Sequence, residues 1–262
     1  MKLKIYQIDA FTNEVFKGNY AAVVILQEDL DESTMQNIAI ENNLSETAFI
    51  LKISDDTYTI RWFSPICEID FCGHATLASS FVIFENNNID TIYFNTLKVG
   101  KLEIQKQEDN YIKMIFPNTK PTIIKDIPKV FAKALSIQPK EVLQNNQAYY
   151  LIYKNEQDIY DINLDLEALK QLKPYDIAIS AESKKYDFIT RYFWPANGGD
   201  EDPVTGSIHT ALAPYWKDIL KKKDLVAYQA SSRGGVLKCE VFEDKVIILG
   251  QAVKYMDGYI YI

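Results

Sequence analysis

The sequence predicts an α+β fold built twice over, and three observations carry that prediction. The first is an internal echo at about half the chain length. "IRWFSPICEIDFCGH", from Ile60, and "TRYFWPANGGDEDPV", from Thr190, align without gaps at an offset of 130 residues. At that offset Arg61 falls on Arg191, Phe63 on Phe193, Pro65 on Pro195 and Asp70 on Asp200, while Trp62 falls on Tyr192 and Cys72 on Asp202. Second, each copy follows a segment of alternating apolar residues, "DTYTIRWF" and "KKYDFITRYF", as a half-buried strand requires. Third, each is followed by a glycine and an apolar-periodic run of helical type, "ATLASSFVIFEN" and "SIHTALAPYWKDIL".

Taken in order, the first half reads as strands at 3–8 and 21–27, a helix at about 31–42 that ends in two asparagines, and a strand at 47–53. The strand through residues 55–63 and the glycine-led helix come next, then strands at 91–95, 99–105 and 111–116. The Pro- and Asn-bearing segment 117–127 is the natural crossing point between halves. Beyond it lie helices at about 128–135 and 164–172 and strands at 148–153, 175–180 and 184–193. The second glycine-led helix follows, then strands at 225–230, 235–242 and 245–250. Many strands with one long helix per half indicate an α+β duplication, not an alternating βαβ chain. The halves are set at 1–117, with "DFCGHATLA" and Glu46, and 118–262, with "EDPVTGS". Either terminal segment is free to cross over and complete the other half.

Composition narrows the function. The chain has 262 residues and is 47% hydrophobic, enough for a sizeable core, with 36 acidic against 28 basic residues and a net charge of −8. That balance argues against a nucleic-acid footprint. No apolar run approaches the ~20 residues that span a bilayer, and "MKLKIYQIDAF" lacks a signal-peptide pattern. Three cysteines (Cys67, Cys72, Cys239) are too few for a disulfide framework, so a reducing, cytoplasmic setting is expected, with no membrane partner. The 17 tyrosines and 13 phenylalanines read as core and strand filler.

A duplicated strand–Gly–helix has a chemical use. Helix N-termini carry unpaired N–H groups and partial positive charge, so they attract carboxylates and phosphates. Two such ends on opposite walls would place Cys72 and Asp202 at matching positions, with His74 and Ser207 close behind. The amides around Gly73, Gly206 and Ser207 would then be available to a carboxylate. In "NLSETAFIL", Glu46 enters an apolar strand, where a carboxylate is costly unless paired or protonated and so suited to proton transfer. A solvated turn glutamate is the simpler reading of that residue from sequence alone. Metal binding has little support. His209 is the only other histidine, no ligand spacing surrounds either one, and His209 reads as a polar helix residue. Arg61 and Arg191 read as matched anchors between strand ends and carboxylates.

"GNYAAVVIL", "LSETAF", "RWFSPICEIDFCGHATLA", "EDPVTGSIHTALAPYW" and "SSRGG" together resemble the PhzF-like isomerases named for phenazine biosynthesis, over essentially the whole chain. The resemblance implies a diaminopimelate-epimerase-like fold: two similar halves, each a curved, mostly antiparallel, barrel-like sheet around a central helix, with the active site between them. It implies a homodimer and cofactor-free transfer of a proton between carbons of a small carboxylate. In the phenazine enzyme the substrate is a dihydro-3-hydroxyanthranilic acid. By motif the proton carrier is Glu46, assisted by His74, Asp202 and Ser207, with backbone contact from Gly73. Asn19 would contact a substrate carboxylate, although "GNY" departs from the family's usual Gly-Asn-Pro. Arg233, in "SSRGG", is a further candidate. Cys72 stands either as a small thiol in a tight turn or, with Asp202, as a mixed acid–base pair of the racemase kind. A non-catalytic carboxylate-binding protein is the alternative from outside enzymology.

Overall fold

The computed structural model describes the whole chain, Met1–Ile262. Its contacts divide the chain into two units, Met1–Ile115 with Leu249–Ile262, and Phe116–Ile248. In the first unit the chain runs β1 (Lys2–Ala10), β2 (Asn19–Leu26), α1 (Glu32–Asn42), β3 (Glu46–Lys52), β4 (Thr57–Phe63), β5 (Glu68–Ile69), α2 (Gly73–Asn86), β6 (Thr91–Asn95), β7 (Lys101–Lys106) and β8 (Ile112–Pro117). β1 and β2 are antiparallel, β2 and β3 parallel, β3 and β4 antiparallel. β4 then pairs antiparallel with β5 and parallel with β6, and β6 antiparallel with β7. The helix α2 is apolar on every side and buried along most of its length against β1, β2 and β3, as such a helix must be. Met35, Ile38 and Ala39 of α1 pack on Val24, Phe49 and Phe63. Each large side chain so buried is worth roughly 1.5–3 kcal/mol.

In the second unit the elements are β9 (Thr122–Ile123), α3 (Phe131–Ala134), β10 (Glu141–Gln144), β11 (Ala148–Ile152), α4 (Glu156–Asp161), α5 (Leu166–Leu169), β12 (Asp176–Glu182), β13 (Phe188–Phe193), β14 (Glu201–Asp202), α6 (Gly206–Leu220), β15 (Asp224–Gln229), β16 (Gly235–Val241) and β17 (Lys245–Gly250). The pairings β10–β11 antiparallel, β11–β12 parallel and β12–β13 antiparallel repeat the first unit's order. So do β13–β14 antiparallel, β13–β15 parallel and β15–β16 antiparallel. The duplication is therefore topological as well as sequential, and α6 holds the place of α2.

Strand register refines the echo. Thr47 lies opposite Phe63 and Ile177 opposite Phe193, so the 130-residue offset holds through these strands and makes Asp176 the counterpart of Glu46. It then changes. Phe63 lies opposite Glu68, but Phe193 opposite Glu201, because residues 194–200 make a longer turn than residues 64–67. The ungapped pairings of Asp70 with Asp200 and of Cys72 with Asp202 are thus incorrect. Asp202 corresponds to Ile69, and the residues preceding the helix-opening glycines are Cys72 and Thr205. The two arginines are matched anchors. Arg61 donates to both oxygens of Glu68 at 2.6 and 2.7 Å, and Arg191 to both oxygens of Glu201 at 2.7 and 3.0 Å. Their guanidinium groups lie 5.2 and 4.9 Å from the ring centres of Phe63 and Phe193.

Several elements differ from the sequence reading. A last strand, β18 (Ala252–Tyr261), pairs antiparallel with β1, Lys2 opposite Tyr261, and returns the chain to the first unit. It is mostly exposed, so it lacks the buried alternation by which a strand is recognised. β10 and α4 were also absent from the reading, and the helix at 128–135 is one turn, Phe131–Ala134. No helix is long and apolar enough to cross a membrane.

Candidate functional site

Three helix starts set the scene. α1 is capped in the ordinary way: Asp31 accepts from the Thr34 N–H at 3.0 Å, and Glu32 adds a negative charge to the first turn. The starts of α2 and α6 have neither feature. Cys72 and Thr205 precede Gly73 and Gly206 in extended conformation, without a side-chain cap, and no acid lies in either first turn. Their first N–H groups and positive dipole ends are left for other partners.

At the start of α2 the sheet delivers two side chains to His74, and Cys72, just before the helix, adds a third. β2 begins with Asn19, and its parallel neighbour β3 begins with Glu46, in register with Ala21. Glu46 Oε2 lies 2.8 Å from His74 Nε2, with the Glu46 side chain 17% exposed. That oxygen has no aligned hydrogen-bond donor in the protein, His74 included, so the contact is a close ion pair. Glu46 is therefore no solvated turn residue. On the far side of the ring, Asn19 Nδ2 is 3.1 Å and Cys72 Sγ 3.4 Å from Nδ1. The Asn19 carboxamide can donate to a neutral ring or, turned over, accept from an imidazolium. The Ser45 hydroxyl, 3.4 Å from Asn19 Oδ1, can serve either orientation because it both donates and accepts.

The charges here are coupled. Burial works against an imidazolium at His74, but the Cys72 sulfur and the Glu46 carboxylate oppose it, and the balance holds His74 well above its ordinary value. Burial also pushes the Cys72 thiol up, against the pull of His74. Burial thus holds Cys72 toward its thiol form, while the Cys72 sulfur and the Glu46 carboxylate both favour the imidazolium. Glu46, Cys72 and His74 also present carboxylate, thiol and imidazole ligand atoms within 4.8 Å of one another. A metal ion there would have to part the His74–Glu46 pair and deprotonate Cys72.

The start of α6 holds a different set. The Thr205 hydroxyl donates to Asp202 Oδ2. The buried Gln229 spans both, accepting from the Thr205 N–H at 2.8 Å and donating to the Asp202 carbonyl at 2.8 Å. Ser207 Oγ accepts from Gln147 Nε2 at 2.8 Å. Gln147 also reaches the Tyr192 hydroxyl at 3.3 Å, which donates to Asp176 Oδ2 at 2.5 Å. Arg233 sits half-buried in the turn between β15 and β16, beside Gly234 at φ +68°, where a Cβ would strike the Tyr228 hydroxyl.

His209 overturns its reading as an ordinary polar helix residue. It is fully buried beside Phe188, its Nδ1 donates to the Thr205 carbonyl at 2.8 Å, and burial pushes it down to about 4. It is a neutral core residue that fastens the first turn of α6.

The sequence thus named Asn19, Glu46, Cys72, Gly73 and His74, which the first unit gathers, and Asp202, Gly206 and Ser207, which share one turn of the second. It missed Ser45, Gln147, Asp176, Tyr192, Thr205 and Gln229. Thr205 and Ser45 lie inside quoted motifs and Tyr192 inside the internal echo, so these were within reach. The others are isolated polar residues whose partners lie far along the chain.

The family model for phenazine biosynthesis-like proteins (PhzC-PhzF) matches residues 8–258. The chain belongs to this family. An uncharacterized isomerase of Halalkalibacterium halodurans is 43% identical over 97% of this chain and 96% of its own length. The crystal structure of a PhzF-family phenazine biosynthesis protein from Enterococcus faecalis matches with a TM-score of 0.95 at 42% identity, covering both chains fully. A hydroxyproline epimerase from Agrobacterium vitis shares the fold at a TM-score of 0.65 and 9% identity, over 99% of this chain and 92% of its own. The PhzC-PhzF chain accordingly has the diaminopimelate-epimerase-like α+β fold expected of it.

Proposed function

We propose that this protein is a cofactor-independent isomerase that moves a proton between carbons of a small carboxylate-bearing metabolite, with Glu46 as proton carrier. The observation that carries the reading is the buried Glu46–His74 pair at the uncapped start of α2. The Glu46 carboxylate, through the oxygen not turned to His74, takes a proton from an acidic C–H, the electron pair left on carbon passes into the adjoining conjugated system, and the same oxygen returns the proton at the other end. His74 holds the carboxylate in place and steadies its charge before transfer, while Asn19 and Ser45 keep the ring in register. The uncapped start of α6, with Asp202, Ser207 and the amides of Gly206 and Ser207, is suited to receive a carboxylate. Close relatives named as isomerases support the class of reaction.

A mixed Cys72/Asp202 acid–base pair loses its footing, because the position matching Cys72 holds Thr205 and burial keeps the thiol protonated. The test is solvent deuterium incorporation into a panel of small carboxylates. Glu46→Gln is expected to lose on the order of 10²–10⁴ of the exchange rate, the usual worth of a general acid–base group, and Cys72→Ala less than about tenfold. Equal exchange by wild type and Glu46→Gln would remove Glu46 from the mechanism.

A further inference from the structure

We propose that Asp176, Tyr192 and Gln147 form a positioning relay that holds the Ser207 hydroxyl as a hydrogen-bond donor, so that the start of α6 selects an acceptor-only, anionic group such as a carboxylate. This rests on the reading above only in giving Ser207 a substrate group to receive.

The argument is one of hydrogen-bond direction. Asp176 takes two donors, the Tyr192 hydroxyl on Oδ2 at 2.5 Å and Asn197 Nδ2 on Oδ1 at 2.7 Å, which is how an ionised carboxylate is satisfied. Tyr192 has a single hydroxyl proton, and it is committed to Asp176. Burial and the Asp176 carboxylate both hold that phenol far above its ordinary value, so the proton stays. Toward Gln147, at 3.3 Å, Tyr192 therefore presents only a lone pair. A Gln147 carboxamide turned the other way would set its oxygen against that lone pair, so Nε2 must face Tyr192. The second hydrogen of the same nitrogen goes to Ser207 Oγ at 2.8 Å. Ser207 thus already accepts from within, and its own proton is free to point outward. One lone pair of the hydroxyl is taken by Gln147, and the proton it has left to offer favours a ligand group that presents lone pairs.

The place of these residues supports the assignment. Asp176 opens β12 where Glu46 opens β3, and Ser207 follows the helix-opening glycine as His74 does. In both units a carboxylate at the start of a parallel strand governs the second residue of the central helix. Glu46 touches His74 directly. Asp176, one methylene shorter, reaches Ser207 through Tyr192 and Gln147.

The test titrates benzoate and benzamide into the protein by calorimetry, needing no turnover. Wild type is expected to bind benzoate saturably and in preference to benzamide. Gln147→Glu, the same shape with no donor, is expected to weaken benzoate by at least tenfold and to abolish the preference, as does Ser207→Ala. The double variant is expected to be no worse than Ser207→Ala alone, because both changes act through one hydroxyl. Tyr192→Phe frees Gln147 to turn over and is expected to reduce the preference, which secures the test should Gln147→Glu fold poorly. The proposal is overturned if wild type shows no benzoate preference, if Gln147→Glu and Tyr192→Phe both keep it, or if the double variant's losses add. The preference is expected to survive in Glu46→Gln, so failure of the proton carrier and failure of the relay are separately visible.

Discussion

The starts of α2 and α6 are built on one scaffold and given opposite chemistry. Around His74 stand a carboxylate, a thiol and an amide, with the imidazole held toward its charged form. Around Ser207 stand an amide and a phenol, with the Asp176 carboxylate at the end of a chain of hydrogen bonds. Besides Ser207 for His74 and Thr205 for Cys72, register identifies three more substitutions. Glu46 becomes Asp176 and Trp62 becomes Tyr192, while Tyr20, which precedes Ala21 in β2, gives way to Gln147, which precedes Ala148. A longer carboxylate makes a titrating pair, and a shorter one with two bridging side chains makes a fixed neutral donor. Duplicated architecture therefore need not mean duplicated roles.

The comparison can be broken with acid and base. His209, beneath the start of α6, is held down to about 4 by burial, whereas an unfolded histidine titrates near ~6.5. Its contribution is present above about pH 6.5 and lost as pH falls toward 4, to a limit of about 3 kcal/mol. His74 carries the opposite sign. Its folded value is raised, so its contribution is full below about pH 6.5 and is lost as pH rises through that folded value. Urea unfolding against pH is expected to show the acid limb flattened in His209→Phe and the neutral-to-alkaline limb flattened in His74→Phe. The slopes decide, whatever the absolute stabilities. A smaller effect tests the common scaffold: Arg61→Ala and Arg191→Ala are each expected to cost about 2 kcal/mol, the worth of a charged hydrogen-bonded anchor. Unequal losses by urea unfolding would mean that the two bidentate anchors do different work.

Much of this was legible in the sequence because it is local. The strand–Gly–helix junctions and the paired arginines announce themselves within a few positions, whereas Glu46, by itself a turn glutamate, stood out only through the motif that resembles the family's. The equivalence of Cys72 with Asp202 failed because matching prolines at 65 and 195 and aspartates at 70 and 200 concealed the longer turn at 194–200, which only strand register exposes. Gln147 escaped notice because its partner Ser207 lies 60 positions away, and a lone glutamine beside two asparagines has no periodicity to betray it. Strand β18 was missed because it is mostly exposed and so shows no buried apolar alternation.

The central claim is that Glu46 and His74 form a charged pair at the start of α2, and histidine side-chain NMR across pH tests it most directly. The His74 resonances are expected to titrate well above the ordinary histidine value in wild type and to drop markedly in Glu46→Gln, with His209 remaining neutral down to about pH 4 in both. A His74 that titrates at or below the ordinary value, or that does not respond to Glu46→Gln, would contradict the account.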